Sequence, residues 1–404
     1  MTDPAFQNGP LSDLRVLELG TLLAGPFCGQ LLGDLGAEVI KIEPPGQGDP
    51  MREWGLHEAG EPSLWWPVIA RNKKAITLDL RQPDGQQLLK DLVAKADFVL
   101  ENFRPGTLER WGLGWSELSA INPRLIMIRV SGFGQTGPRA KDPGFGAIGE
   151  AMGGLRYVVG DPSAPPSRVG ISIGDSLAAT FASLGALAAL HYRERTGRGQ
   201  VVDSAIYEAV LAMMESLVTD YDQRGVIRER TGAVLPKVAP SNVYETRDGL
   251  VLIAANQDNV FARLALAMGE PGLAKDPRFA THQARGVHQA EIDAIVGRWT
   301  QTLSTREVLA VLARPETAVP SGLIYRAPEM LVDAHFRARE AIVATPHPQF
   351  GELRMQNVAP KLSETPGRVR SAAPEVGAHN EEIYRELLGL SAERYASLKA
   401  ARVI

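Results

Sequence analysis

The sequence predicts an α/β protein: a mostly parallel sheet with helices on both faces, joined to a second, smaller α+β unit. Three observations carry this. Strand and helix signals alternate through the N-terminal half, which is the pattern of βαβ units. After about residue 225 the alternation gives way to a hairpin and then helices. The length of 404 residues points to two or three compact units. With 44% hydrophobic and 22% charged residues, the composition is that of a globular chain and excludes a disordered one.

The elements follow in order. Arg15–Leu19 (RVLEL) is a short apolar strand, Gly20–Gly25 a turn and Phe27–Leu35 a helix. Glu38–Glu43 (EVIKIE) is the next strand, and Ala75–Leu80 (AITLDL) alternates with the period of two that a strand requires. A helix runs from Asp84 to Ala94, a strand from Ala96 to Leu100, a short helix starts at Glu117, and Leu125–Val130 (LIMIRV) is a buried strand. The Ala-rich stretch Leu177–Leu190 is broken by Ser183 and Gly185. It is too short and too mild to span a bilayer and reads as a buried helix. Asn242–Thr246 and Leu250–Ala254, joined by Arg247-Asp248-Gly249, form a hairpin. Ser304-Thr305-Arg306-Glu307 is a capping box, and Val319-Pro320-Ser321-Gly322 ends the block. The expected organisation is therefore 1–225 as the first part of a large domain and 226–325 as a small domain. The remaining 326–404 is a linker and C-terminal part that returns to the large domain, with a strand near Gly351–Met355 and closing helices carrying Tyr384, Leu387 and Leu388.

Charge and composition narrow the function. With 43 basic and 47 acidic residues the net charge is -4, which disfavours a nucleic-acid partner. A single cysteine, Cys28, excludes an intrachain disulfide and a cysteine-based zinc site, so a reducing, cytoplasmic setting is expected. The opening MTDPAFQNGPLSD lacks the basic and apolar regions of a secretory signal. The seven histidines (His57, His191, His282, His288, His335, His347 and His379) show no H-x-x-x-H pair, so no metal is expected. His191 closes the Ala-rich helix as an ordinary C-terminal cation. No G-x-S-x-G elbow is present.

Several segments sit where α/β sheets place ligands. Gly132-Phe133-Gly134-Gln135-Thr136-Gly137 follows a strand and fits G-x-G-x-x-G, yet loop sequence with two prolines follows it. The helix that would hold a pyrophosphate is missing, which favours a glycine-rich loop over a nicotinamide fingerprint. The turn Gly20–Pro26 joins the first strand to the first helix and fits a ligand loop or simple punctuation equally. Arg71-Asn72-Lys73-Lys74 reads as a solvated loop before a strand, although a phosphate-bearing ligand would need such charges. Glu101-Asn102-Phe103-Arg104-Pro105-Gly106 lies at another strand end, with Arg110 a helical turn on. Asn102 and Phe103 would read and stack a base there, or simply pack a turn. Gly174-Asp175-Ser176 opens the Ala-rich helix. Asp175 suits an N-cap, and the same geometry suits an ionised carboxylate nucleophile.

Taken together, these segments resemble the family III CoA-transferases, the CaiB/BaiF family. The carrying stretches are VLELGTLLAGPFCGQLLGDLGAEVIKIEPPGQGD, RNKKAITLDL, ENFRPGTLERWGLGW, GFGQTGP, IGDSLAA and Thr196-Gly197-Arg198-Gly199-Gln200. The resemblance implies a Rossmann-like large domain built from both chain ends, a smaller domain, and two chains threaded as an interlocked-ring homodimer. It implies that Asp175 is the nucleophile. It also implies coenzyme A contacts from Leu22, Leu23, Ala24, Asn102, Phe103 and Arg110, with Lys73, Lys74, Arg104 and Lys141 as further candidates. Acyl-CoA and a free carboxylic acid are the implied substrates, with no permanently bound cofactor and no membrane partner. Succinyl-CoA and a dicarboxylic acid are the expected pair, with Arg139, Arg168 or Arg326 placed to meet a distal carboxylate. Oxyanion stabilisation is expected from backbone N–H groups near Gly174 and Asp175 or from the 132–137 loop. Formyl-CoA:oxalate members carry a glutamine where this chain has Leu23, and a run of four glycines that is absent here. A carnitine-type acceptor stays open. The α-methylacyl-CoA racemases use a histidine in the region matching Gly132–Gly149, which holds none.

Overall fold

A computed structural model describes residues 9–56 and 61–404, so the opening residues 1–8 and His57 lie outside the described residues. The chain divides into two compact units. One draws on the residues up to Arg156, on Val169–Val226 and on Arg337–Ile404; the other on Tyr157–Arg168 and Ile227–Phe336.

In the first unit, β1 (Arg15–Glu18), β2 (Glu38–Glu43), β3 (Lys73–Thr77), β4 (Phe98–Glu101), β5 (Ile126–Ser131) and β6 (Val201–Ala205) form one sheet in the order β3-β2-β1-β4-β5-β6. Every neighbouring pair is parallel. The helices up to Arg224 are α1 (Ala24–Asp34), α2 (Trp66–Ile69), α3 (Pro83–Val93), α4 (Thr107–Arg110), α5 (Trp115–Ile121), α6 (Gly146–Met152), α7 (Leu155–Val158), α8 (Ile173–Thr196), α9 (Ile206–Leu211) and α10 (Leu217–Arg224). This is the doubly wound order, whose direction reverses between β1 and β4.

Alternate residues of the strands supply opposite faces. Val16, Val39, Phe98 and Ile126 face the layer that contains Cys28, Leu32 and the alanines of α8. Leu17, Ile40, Val99 and Met127 face the other. Both faces are buried, which is why these strands read as apolar runs. The C-terminal segment completes the second face with Ile383, Tyr384, Leu398, Val403 and Ile404. The Tyr384 hydroxyl donates to Thr77 O at 2.7 Å.

α8 has 24 residues, with an 18-residue stretch of mean hydropathy 1.5. It is longer than the expected Leu177–Leu190, and by length and composition alone it would cross a membrane. Its Ala178, Ala179, Ala182, Ala186 and Ala189 are instead packed in the core. Small side chains bring it close to α1, with Ser183 Oγ 3.3 Å from Cys28 Sγ. Burial pushes the Cys28 thiol up to about 12. His191 therefore lies within the helix, and the last-turn cations are Arg193 and Arg195.

In the second unit, β7 (Ser241–Glu245) pairs antiparallel with β8 (Leu250–Ala254), and β9 (Ser321–Leu323) adds to β8. The segment read as the end of the block is thus a third strand. Packed against it are α11 (Asp258–Ala267), α12 (His282–Val287), α13 (Gln289–Thr300) and α14 (Thr305–Leu312), with Val260, Leu264, Val296, Val308 and Leu312 in the core. The capping box is present: Ser304 Oγ accepts from Glu307 N at 3.3 Å, and Glu307 accepts from Ser304 N at 2.7 Å. In the first unit, Gly351–Gln356 pairs antiparallel with Ile342–His347, a strand not expected from the sequence.

Candidate active site

The turn after β1 and the segment after β4 flank the β1/β4 reversal, where open α/β sheets bind their ligands. Asn102 ties them together. Its Oδ1 accepts from Thr21 N at 2.8 Å and its Nδ2 donates to Thr21 O at 2.9 Å. Gly20 and Gly25 are glycine because the Asn102 amide fills their side-chain space; a Cβ on Gly20 would lie 2.9 Å from Oδ1. Both ends of the amide thus hold the turn in place.

Four buried charged groups brace the same turn from below. Lys41 bonds Gly20 O and pairs with Asp49 at 2.7 Å and Glu18 at 3.3 Å. Lys73 pairs with Glu18 at 2.8 Å and donates to Pro26 O at 2.7 Å. Asp49 accepts from Leu22 N at 3.0 Å, which holds Leu22 at a left-handed φ of 63°. Leu22 and Leu23 pack on Met51, Trp66 and Ile69, and Ala24 is buried at the start of α1. Burial draws the Lys41 ammonium down, but Asp49 and Glu18 outweigh it and hold its pKa above the ordinary lysine value.

This corrects the reading of residues 71–74 as a solvated loop. β3 begins at Lys73 rather than Ala75. Arg71 is 2% exposed and forks onto Asp34 at 3.0 and 2.6 Å. Lys73 is 3% exposed, and Lys74 is committed to Glu38 at 2.6 Å and to Glu382. The Lys73 ammonium is neutralised inside the protein, while the half-buried Lys74 is paired at the sheet edge.

Past Asn102, Phe103 meets Trp111 edge to face at 5.7 Å. Arg104 donates to Lys141 O at 2.6 Å, joining this segment to the 132–145 loop, while Arg110 donates to Thr107 Oγ1 at 3.1 Å; both arginines are exposed. Beneath them, Glu101 accepts from Phe103 N at 2.7 Å and Arg129 Nε at 2.6 Å. Burial raises Glu101 to about 7, against the pull of Arg129. A carboxyl raised on folding favours the fold most below its unfolded pKa near 4.5, and that contribution fades as pH rises through 7. Relative to Glu101→Gln, the native protein is expected to lose on the order of 3 kcal/mol between pH 4.5 and 8. Denaturant unfolding across that range checks this, and a pH-independent difference would contradict it.

The 132–137 loop has left-handed Gly134 (φ 86°) and Gly137 (φ 88°), and no helix opens across it. Gly134 N donates to Ser131 Oγ at 3.0 Å and Gln135 N to Asp203 at 2.9 Å. Arg139 lies 4.4 Å over the Phe133 ring and pairs with Asp142 at 3.1 Å, whereas Arg326 pairs with Glu329.

Asp175 is the third residue of α8, not its N-cap, which is Ser172. Its carboxylate lies directly against the backbone of Gly146: a Cβ there would be 2.1 Å from Oδ2. Gly174 N donates to the fully buried Glu150 at 3.2 Å, and Glu150 pairs with Arg156 at 2.7 Å. The amides of Gly174, Gly134 and Gln135 are therefore engaged within the protein, so the expected oxyanion donors are not among these three. Sequence reasoning missed Glu150. Its one signal is a lone charge in the small-residue run GAIGEAMGG. Among the described residues, no group of three or more His, Cys, Asp or Glu side chains is placed to hold a metal.

The sequence compares with known proteins along its whole length. The model for "CoA-transferase family III" matches residues 11–380. The chain is 62% identical over 396 residues to a succinyl-CoA–D-citramalate CoA-transferase of Chloroflexus aurantiacus, covering 98% of each chain. It is 43% identical to the beta subunit of a succinyl-CoA–L-malate CoA-transferase of that organism, again over 98% of each. Among solved structures, a CAIB/BAIF family protein from Brucella suis superposes with a TM-score of 0.83 at 34% identity, over 94% of this chain and all of that one. With its parallel sheet of doubly wound order and these full-length matches, the chain is an enzyme that belongs to CoA-transferase family III.

Proposed function

We propose that this enzyme moves CoA from succinyl-CoA to a dicarboxylic acid, with D-citramalate the leading acceptor. The observation that carries this reading is the full-length likeness to the succinyl-CoA–D-citramalate enzyme. Asp175 is the nucleophile. Its place in the first turn of a 24-residue helix supports this, because the helix dipole favours the ionised carboxylate.

The exchange balances without a general base. The Asp175 carboxylate attacks the succinyl thioester carbonyl and expels CoA thiolate, leaving a succinyl–aspartyl anhydride. The thiolate attacks the aspartyl carbonyl and releases succinate, giving an aspartyl-CoA thioester. The acceptor carboxylate displaces the thiolate to form a second anhydride. The thiolate then takes the acceptor acyl group and restores Asp175. Each nucleophile is already an anion, and each leaving group is a thiolate or a carboxylate.

CoA lies across the β1/β4 reversal. The turn at Leu22, Leu23 and Ala24 offers backbone to it, Phe103 offers a ring face, and Arg104, Arg110 and Lys141 offer charge for its phosphates. Asn102, Lys73 and Lys74 act by holding that turn and sheet edge. Arg139, on the loop that leads into Gly146, is the arginine best placed by sequence for the acceptor's distal carboxylate. The enzyme works as an interlocked homodimer. Phe145 (72% exposed), Leu184 (62%), Tyr221 (60%) and Ile171 (59%) support this, because a monomer rarely leaves so many large apolar side chains in water.

An acceptor panel tests the reading. With succinyl-CoA as donor, D-citramalate is expected to give the highest kcat/KM, ahead of L-malate and glutarate, with oxalate and carnitine-type acids poor. Exchange confined to carnitine-type acids would overturn the dicarboxylate assignment, and exchange confined to oxalate would overturn citramalate as the acceptor. Deuterium wash-in at the acyl α-carbon without CoA exchange would replace the transferase by a racemase-type isomerase.

A further inference from the structure

Glu150 follows Gly146 by four residues on α6, so the two share one face of that helix. That face meets the start of α8 at two points. Gly146 presents bare backbone to the Asp175 carboxylate, and Glu150 Oε1 accepts from Gly174 N at 3.2 Å. Gly174 is itself glycine because a Cβ would lie 2.9 Å from Glu150 Cγ and 3.0 Å from Gly146 O. The Glu150 side chain is 0% exposed, and its other oxygen takes Arg156 Nε at 2.7 Å. A carboxylate buried this fully is retained at a cost in solvation, and Arg156 offsets its charge.

We infer that Glu150 is a positioning residue for Asp175. It pins the peptide N–H of the residue before the nucleophile and so fixes the direction in which the Asp175 side chain leaves the helix. The bare backbone of Gly146 leaves room for the carboxylate beside it. Arg156 serves to make a buried acceptor tolerable, and it is the reach of Glu150 toward Gly174, rather than its charge, that matters for the reaction. The inference rests on Asp175 being the nucleophile.

Two conservative variants of the full-length enzyme separate reach from charge. Glu150→Gln keeps an acceptor at the same distance and removes the charge. Glu150→Asp keeps the charge and withdraws the acceptor by one methylene. The readout is the single-turnover rate at which succinyl-CoA labels Asp175, measured beside the KM for succinyl-CoA and the thermal midpoint. Glu150→Asp is expected to slow labelling by on the order of 10²-fold with KM within twofold, the scale that a small misplacement of a reacting group produces. Glu150→Gln is expected to label within about fivefold of the native rate even where its thermal midpoint falls, since Arg156 then lacks its partner. Rates that simply follow the thermal midpoints, or a slow Gln variant beside a fast Asp variant, would overturn the inference while leaving the nucleophile in place. A native enzyme that exchanges CoA with no label at Asp175 would overturn the nucleophile assignment, and the inference with it.

Discussion

Replacing Asp175 with alanine is expected to reduce CoA exchange by about 10³-fold or more, while CoA affinity stays within about twofold of the native value. The exchange consists of four acyl transfers, and each either forms or breaks a bond to this carboxylate. Without it, thiolate and acceptor would have to meet in one step, with no covalent intermediate to divide the barrier. The groups proposed to hold CoA lie on other elements, the turn before α1 and the segment after β4. Their geometry does not depend on the Asp175 side chain, so binding should survive. Isothermal titration with CoA beside an exchange assay reads both quantities. An active Asp175→Ala enzyme would remove the basis of the mechanism, and a parallel loss of affinity would point to a collapsed site.

The second large effect is expected at Gly146. A methyl group there would lie 2.1 Å from Asp175 Oδ2 and 2.7 Å from Cγ. These atoms end a side chain, so the carboxylate swings aside while the backbone stays in place. Gly146 is the first residue of a helix and has no left-handed φ to protect, and alanine is the better helix former by up to about 1 kcal/mol. Gly146→Ala should therefore fold as well as the native chain or better. Its kcat should nevertheless fall on the order of 10²-fold, because the nucleophile has been turned away from the thioester. A stable, fully active Gly146→Ala enzyme would mean that the carboxylate does not react from its place beside Gly146.

Much of the fold was legible because local pattern and burial agree. EVIKIE is β2 to the residue, and the hairpin turn and the Ser304–Glu307 capping box are where the turn and cap chemistry put them. The failures share a cause: partners distant in sequence. Lys73 looks like a loop residue until Glu18, 55 positions away, neutralises it inside the sheet. Arg71 looks solvated until Asp34 accepts from its Nε and Nη2 and Gln356 O from its Nη1. β6, β9 and the strand Ile342–His347 are short or half-polar, and each is a strand only because a neighbour completes its ladder. At the site, Asp175 was visible through its motif and its helix start, and the Thr21–Asn102 turn through its glycines. Glu150 was not, because its role exists only where α6 crosses the start of α8. The backbone amides show the same limit. The sequence offers many near Asp175, and only the folded chain reveals that Gly174, Gly134 and Gln135 have already spent theirs.

The central claim is that the acyl group passes through a covalent bond to Asp175. Intact-protein mass spectrometry after incubation with succinyl-CoA, with and without hydroxylamine, tests it most directly. The account predicts a mass gain matching a succinyl or CoA adduct. Hydroxylamine should convert it to a hydroxamate that peptide mapping places on Asp175, and Asp175→Ala should give neither. Exchange activity with an unmodified protein at every time point, or a hydroxamate on another carboxylate, would contradict it.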